Sequence, residues 1–218
     1  MKKLFLSFLL LFLTITGFSQ LLKPVKIDSL VTVSLPPVHQ KKDTLGQRIF
    51  SGNGLVGFME VIKAPNVKNT VPLNKENDLD KVFKEYIKTI QTQSVNGVTQ
   101  NIRDTTIGTL KAKLFTLRKE DAKSEIQLRN FILIYTTGAT YTFEYAYPEF
   151  RKDAVIEEYK AFVKSIKFSH QLQRNDQYLH NTKGMSSTVK MALYGGAVLI
   201  LVIILMLIIR NKKRPASK

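Results

Sequence analysis

Between residues 24 and 169 the spacing of hydrophobic positions changes several times, and each change predicts an element. Residues 30–35 alternate, with Val31, Val33 and Leu35 set against Thr32 and Ser34, and stop at Pro36-Pro37, as a half-buried strand does. Residues 47–50 and 55–63 flank Ser51-Gly52-Asn53-Gly54, a strong signal for a short hairpin turn, with Gly57 as a bulge in the second strand. After a polar loop, Leu79, Val82, Phe83, Tyr86, Ile87 and Ile90 recur at helical spacing along one stripe. Asn77 is the expected cap, Asp80 stands at N3, and Asn96-Gly97 marks the stop.

Four further strands are predicted over 98–107, 109–117, 126–135 and 139–147, joined by Gly108, the charged stretch 118–125 and Thr136-Thr137-Gly138. Residues 131–135 are apolar on both faces, which places that strand centrally in the sheet. In the fourth, Tyr141, Phe143, Tyr145 and Tyr147 share one face, and Thr140, Thr142, Glu144 and Ala146 share the other. A helix over about 150–164 presents Val155, Tyr159, Phe162 and Val163 along one side, and Ser165-Ile166-Lys167-Phe168 finishes the domain. Hairpin-linked strands and two amphipathic helices predict an α+β fold, an antiparallel sheet flanked by helices.

The ends of the chain read differently. Met1-Lys2-Lys3 and the apolar run that follows, closed by Gly17 and Ser19 at the −3 and −1 places, predict a signal peptide over 1–19. Residues 191–209 are apolar apart from Tyr194, Gly195 and Gly196; at ~1.5 Å per residue they span roughly 28 Å, close to the ~30 Å hydrocarbon core. Arg210, Lys212, Lys213 and Arg214 follow at once, so the positive-inside rule puts 210–218 in the cytoplasm. The expected layout is a single-pass protein of the cell membrane. Its domain over 24–169 lies outside the cytoplasm (periplasmic if the cell is Gram-negative), and a polar tether over 170–190 leads to one C-terminal transmembrane helix.

Composition then narrows the partners. Of 33 Lys and Arg residues, seven lie in the leader and the tail, whereas all 17 acids lie between them; the formal net charge is +16. In an exported domain such a balance suits anionic lipid or another envelope protein and argues against nucleic acid. The absence of cysteine excludes disulfides, thiol catalysis and thiolate metal sites.

The opening strand Val31-Thr32-Val33-Ser34-Leu35-Pro36, the helix over 78–90, the run Tyr141-Thr142-Phe143-Glu144-Tyr145 and the closing Phe162-Val163-Lys164-Ser165-Ile166-Lys167-Phe168 together resemble the PsbP-like family. That family includes the extrinsic photosystem II subunit and a eukaryotic Ran-binding relative. The resemblance covers most of 24–169 and implies a PsbP-like sandwich acting as a binding and assembly scaffold. It supplies no catalytic residue, and the C-terminal anchor departs from the familiar members.

Candidate chemistry is sparse. His39, His170 and His180 lack a second histidine at helical spacing, so no metal or cofactor is expected. Glu120-Asp121 and Glu157-Glu158 are expected on solvated loop and helix surface. Tyr141, Tyr145 and Tyr147 could line a groove for sugar or peptide, although a face of this kind is more often core beneath a helix. Lys81, Lys84 and Lys88 share one polar face of the first helix and could meet an anionic surface. The expected function is a membrane-tethered binding or assembly module without catalytic activity. The alternatives are an envelope enzyme, a hydrolase or ligand-processing one, and a ligand sensor acting through a membrane partner.

Overall fold

The structure, a computed structural model, describes residues 22–68, 70–120 and 125–180. The expected signal peptide, transmembrane helix and basic tail lie outside these residues. Among the described residues no helix is long and apolar enough to cross a membrane.

The chain forms β1 (Lys23–Lys26), β2 (Val31–Leu35), β3 (Gln40–Thr44), β4 (Gln47–Asn53), β5 (Phe58–Pro65) and β6 (Leu73–Lys75), then α1 (Glu76–Gln93). There follow β7 (Gly97–Ile107), β8 (Leu110–Glu120), β9 (Ile126–Tyr135), β10 (Ala139–Pro148), α2 (Ile156–Ser165), β11 (Lys167–Phe168) and β12 (Tyr178–His180). Seven strands make one antiparallel sheet in the order β3-β4-β5-β10-β9-β8-β7. Phe143 of β10 stands between Val61 of β5 and Ile132 of β9, and this register sets the inward face of every strand.

One face of the large sheet packs on the small sheet β1-β2-β11 and on α2, enclosing Val31, Val33, Val61, Tyr141, Phe143 and Phe162 among others. The other face packs on α1, whose buried Leu79, Phe83 and Ile87 meet Phe115, Leu117, Phe131 and Leu133. Phe115 and Phe131 stack there at 4.7 Å between ring centroids. Each such side chain stabilises the fold by about 1.5–3 kcal/mol relative to leaving it in water.

Several elements begin or end where the sequence pattern does not. α1 starts at Glu76, ahead of Asn77; the backbone N–H of Lys75 donates to the Asp78 carboxylate at 3.2 Å and closes the first turn. Strand β4 runs through Ser51 and Gly52 to Asn53, so the hairpin turn is Gly54–Gly57 rather than 51–54. Gly57 is no bulge. A Cβ there would run into the ring of Tyr145, so the position needs glycine for close packing. The closing helix begins only at Ile156, because a 3-10 turn over Glu149–Arg151 intervenes.

The largest departure concerns 170–180, expected as tether. Leu172, Gln177 and Tyr178 are buried, Tyr178 completely at 0% exposure, and β12 pairs in parallel with β6. The Gln177 amide donates to the carbonyls of Lys111 and Tyr135 at 2.9 and 2.8 Å and accepts the Lys111 N–H at 2.8 Å. Thr137 N–H also donates to the Asp176 carbonyl at 2.7 Å. The segment is held by backbone groups at the ends of β8 and β9, which carry no signal in side-chain hydropathy. The folded unit therefore extends to His180.

Candidate functional site

Strand β10 positions the residues that matter, and alternation sends them to two faces. The structure places Tyr141, Tyr145 and Tyr147 in the core beneath α2 and the small sheet, so they form no open groove. Two of their hydroxyls end on carboxylates. Tyr141 donates to Asp28 at 2.8 Å; Asp28 also accepts the N–H groups of Leu30 and Val31 at 2.8 Å each and the Lys63 ammonium at 2.6 Å. Burial works against an Asp28 anion, but the Lys63 ammonium, the Tyr141 hydroxyl and the Leu30 N–H outweigh it and hold the carboxyl below its usual range.

Tyr145 donates to Glu158 at 2.7 Å. The same carboxylate accepts the N–H groups of Leu55, Val56 and Gly57 at 2.6, 3.0 and 3.1 Å, pinning the β4–β5 turn to α2. Glu158 is thus not outer-surface charge. Burial, and then the facing carboxylates, push both tyrosine hydroxyls far up, so they act only as donors.

The opposite face of β10 carries the charged cluster that sequence reasoning missed. Glu144 is 3% exposed and takes a bidentate bond from Arg129 of β9, Nη2 to Oε2 at 2.7 Å. Arg129 also lies over the Phe131 ring, 5.2 Å from its centroid. Glu60 of β5 stands directly opposite Glu144 in register. Burial and then the Glu144 charge push the Glu60 carboxyl up, with Arg129 opposing them. These three groups line a cleft of about 530 Å³ whose wall is the Tyr86, Thr89 and Ile90 side of α1 and whose floor includes Ile62 and Thr142. The one available signal was Glu144, the only charged residue in β10; its partners depend on strand register, which hydropathy does not carry.

Lys81, Lys84 and Lys88 are exposed on α1, and Lys81 pairs with Asp78 at 3.1 Å. Buried Lys113 sits beneath the helix, salt-bridged to Asp80 at 3.2 Å and to Asp104. Nδ1 of His39 lies 2.9 Å from the Pro36 carbonyl, and that of His180 lies 3.3 Å from the Asn74 carbonyl. Among the described residues no three His, Asp or Glu side chains converge as metal ligands. Glu157 is exposed and pairs with Lys160 at 2.8 Å, while Asp121 lies outside the described residues.

No protein-family model and no curated protein matches the chain. Among solved structures the chain is similar to cyanobacterial PsbP (CyanoP) from Synechocystis sp. PCC 6803, at 16% identity and a TM-score of 0.48, over 71% of this chain and 95% of that one.

Proposed function

We propose that the chain is a binding or assembly module, tethered to the membrane by 191–209 and working outside the cytoplasm without catalysis. The observation that carries this reading is the uneven cover of the sheet. α1 closes the face over β8 and β9, while over β4 and β5 the same face opens as the cleft, with Ile62 and its register partner Ile49 half-buried and Thr142 and Glu144 of β10 buried at its base. A partner segment laid along α1 would bury this floor, and Glu60 would meet a basic group on it. The enzyme alternative would rest on Glu60 and Glu144 as an acid/base pair. Both oxygens of Glu144 are engaged by Arg129, which favours packing over proton transfer.

With the fold extending to His180, residues 181–190 remain for a tether, reaching at most roughly 33–36 Å. His180, the last described residue, pairs with Lys75 at the start of α1, so Lys81 lies within two turns of it. Anionic lipid is therefore the second partner proposed, through Lys81, Lys84 and Lys88.

The test uses the full chain in native membranes with a photo-crosslinker at Thr89, on the cleft wall, or at Lys84. A discrete protein adduct from Thr89, lost on Ile62→Arg, is expected. Adducts from neither position, together with equal co-sedimentation on anionic and neutral vesicles, would overturn the reading.

A further inference from the structure

A second polar hollow lies on the tyrosine face, at the outer edge of the sheet, away from the α1 cleft. Its rim is made by an irregularity in β7. Gln100 faces Thr116 and Arg103 faces Leu114, so Asn101 and Ile102 together oppose the single residue Phe115. Asn101 holds a left-handed backbone, φ 56°, which few side chains other than that of asparagine tolerate. A bulge of this kind bends the strand and re-aims the side chains beside it, and bulges gather next to binding sites. Here Asn101 and Arg103 are brought to the rim of a hollow of about 330 Å³ whose inner wall is Thr116, Asn130 and Tyr159.

Inside, the groups form a short polar chain on an otherwise apolar face. The Thr116 hydroxyl donates to Oδ1 of Asn130 at 2.8 Å, and Nδ2 of Asn130 reaches the Tyr147 hydroxyl only at 3.4 Å. That amide therefore has donor capacity left over. Tyr159 packs on Tyr145 with ring centroids 5.4 Å apart, which fixes the ring as a wall. Arg103 has no ion-pair partner among the described residues, although the neighbouring Asp104 is engaged by Lys113. Burial pushes the Tyr159 hydroxyl up, with Arg103 opposing, so this group too is a donor at neutral pH.

The inventory is one guanidinium, two primary amides, two hydroxyls and one aromatic wall. Donors exceed acceptors, and the only charge is positive. A guanidinium fork matches a carboxylate in a bidentate way. Amides and hydroxyls at several heights suit a ligand bearing hydroxyls around a ring, and the tyrosine covers its apolar side. The volume suits one ring rather than a chain. We infer that this hollow binds a small hydroxylated carboxylate of the acidic-monosaccharide class, with Arg103 on the carboxylate and Asn101, Thr116 and Asn130 on the hydroxyls. This site goes beyond the partner-binding cleft and does not depend on it.

Ligand-observed saturation-transfer NMR on the full chain in nanodiscs tests it with D-glucuronate, D-glucose and inorganic phosphate as probes. Saturable glucuronate signals are expected, at least about tenfold stronger in apparent affinity than those of glucose. Arg103→Met should weaken glucuronate about tenfold, and Arg103→Lys should restore part of it while losing the bidentate geometry. Arg103 is exposed, so both variants are expected to keep the parental melting temperature, which verifies the fold. Phosphate competing as well as glucuronate would reduce the site to a general anion patch and overturn the ligand class. Glucuronate binding that is absent, or unchanged in Arg103→Met, would overturn the site.

Discussion

On one face of β10 the hydroxyls of Tyr141 and Tyr145 meet carboxylates brought from outside the sheet, Asp28 from the β1–β2 turn and Glu158 from α2. On the other face Glu144 meets Arg129 from the neighbouring strand. In the first arrangement each polar tip fastens a separate element to the sheet, so the tyrosine face is also the joint between layers. In the second the charges neutralise each other within the sheet and fasten nothing above it. That difference fits the packing. Over β5 and β10 the tyrosine face is closed by two elements, while the glutamate face is closed by α1 over β8 and β9 and opens as the cleft over β4 and β5.

The sharpest break of the comparison is in the closed face. Phe143 is fully buried between the layers, so Phe143→Ala should cost about 3–5 kcal/mol in urea unfolding. Thr142→Ala, one residue along on the cleft face, should cost no more than about 1–2 kcal/mol. Equal losses would mean that the two faces carry the same packing. Close behind comes Tyr178, the aromatic that 170–180 lends to the α1 layer. Tyr178→Ala should cost about 3–4 kcal/mol, and ending the folded unit at Ser169 should cost at least as much. A truncated domain as stable as one ending at His180 would return 170–180 to tether.

How much of this was legible follows from where the signals lie. Side-chain alternation marks β2 and β10, and an unbroken apolar run marks β9, which is buried on both faces. β3 reads Gln-Lys-Lys-Asp-Thr, an exposed edge strand with no apolar face to betray it, and its lysines guard the edge against further pairing. Its turn, Leu45-Gly46, has φ of 50° and 76°, yet a 98% exposed leucine is not the residue such a turn ordinarily takes. Residues 170–180 were missed because Gln177 works through backbone carbonyls. Glu158 was readable: with Val155, Phe162 and Ile166 it falls at helical spacing on the inner face. The Glu60–Glu144–Arg129 cluster was not, because strand order and register place those residues together.

A smaller effect is expected from the ion pair. Arg129→Met leaves the Glu144 charge buried without its partner and should cost about 2–3 kcal/mol, below the usual figure for a buried pair because the arginine is about one-third exposed. Arg129→Met with Glu144→Leu should recover most of that loss, as apolar pairs commonly replace buried ion pairs. A double change as costly as the single one would show that the pair holds something above it, as Asp28 and Glu158 do on the other face.

The smallest effect separates the faces by sign. Asp28 is held below its ordinary range when folded, so it contributes stability that is present above the unfolded value and lost as pH falls through the folded one. Glu60 is pushed above its ordinary range, so its contribution is present below the unfolded value and lost as pH rises through the folded one. Asp28→Asn should therefore destabilise by about 1–2 kcal/mol at neutral pH, with the gap closing in acid. Glu60→Gln should stabilise by up to about 0.5–1 kcal/mol at neutral pH, and that gap should also close in acid, from the opposite side. Thermal unfolding from pH 3 to 7 reads both curves. Parallel curves for parent and Glu60→Gln would mean that the carboxyl titrates alike folded and unfolded, and the cleft would then lose its claim to favour a basic group.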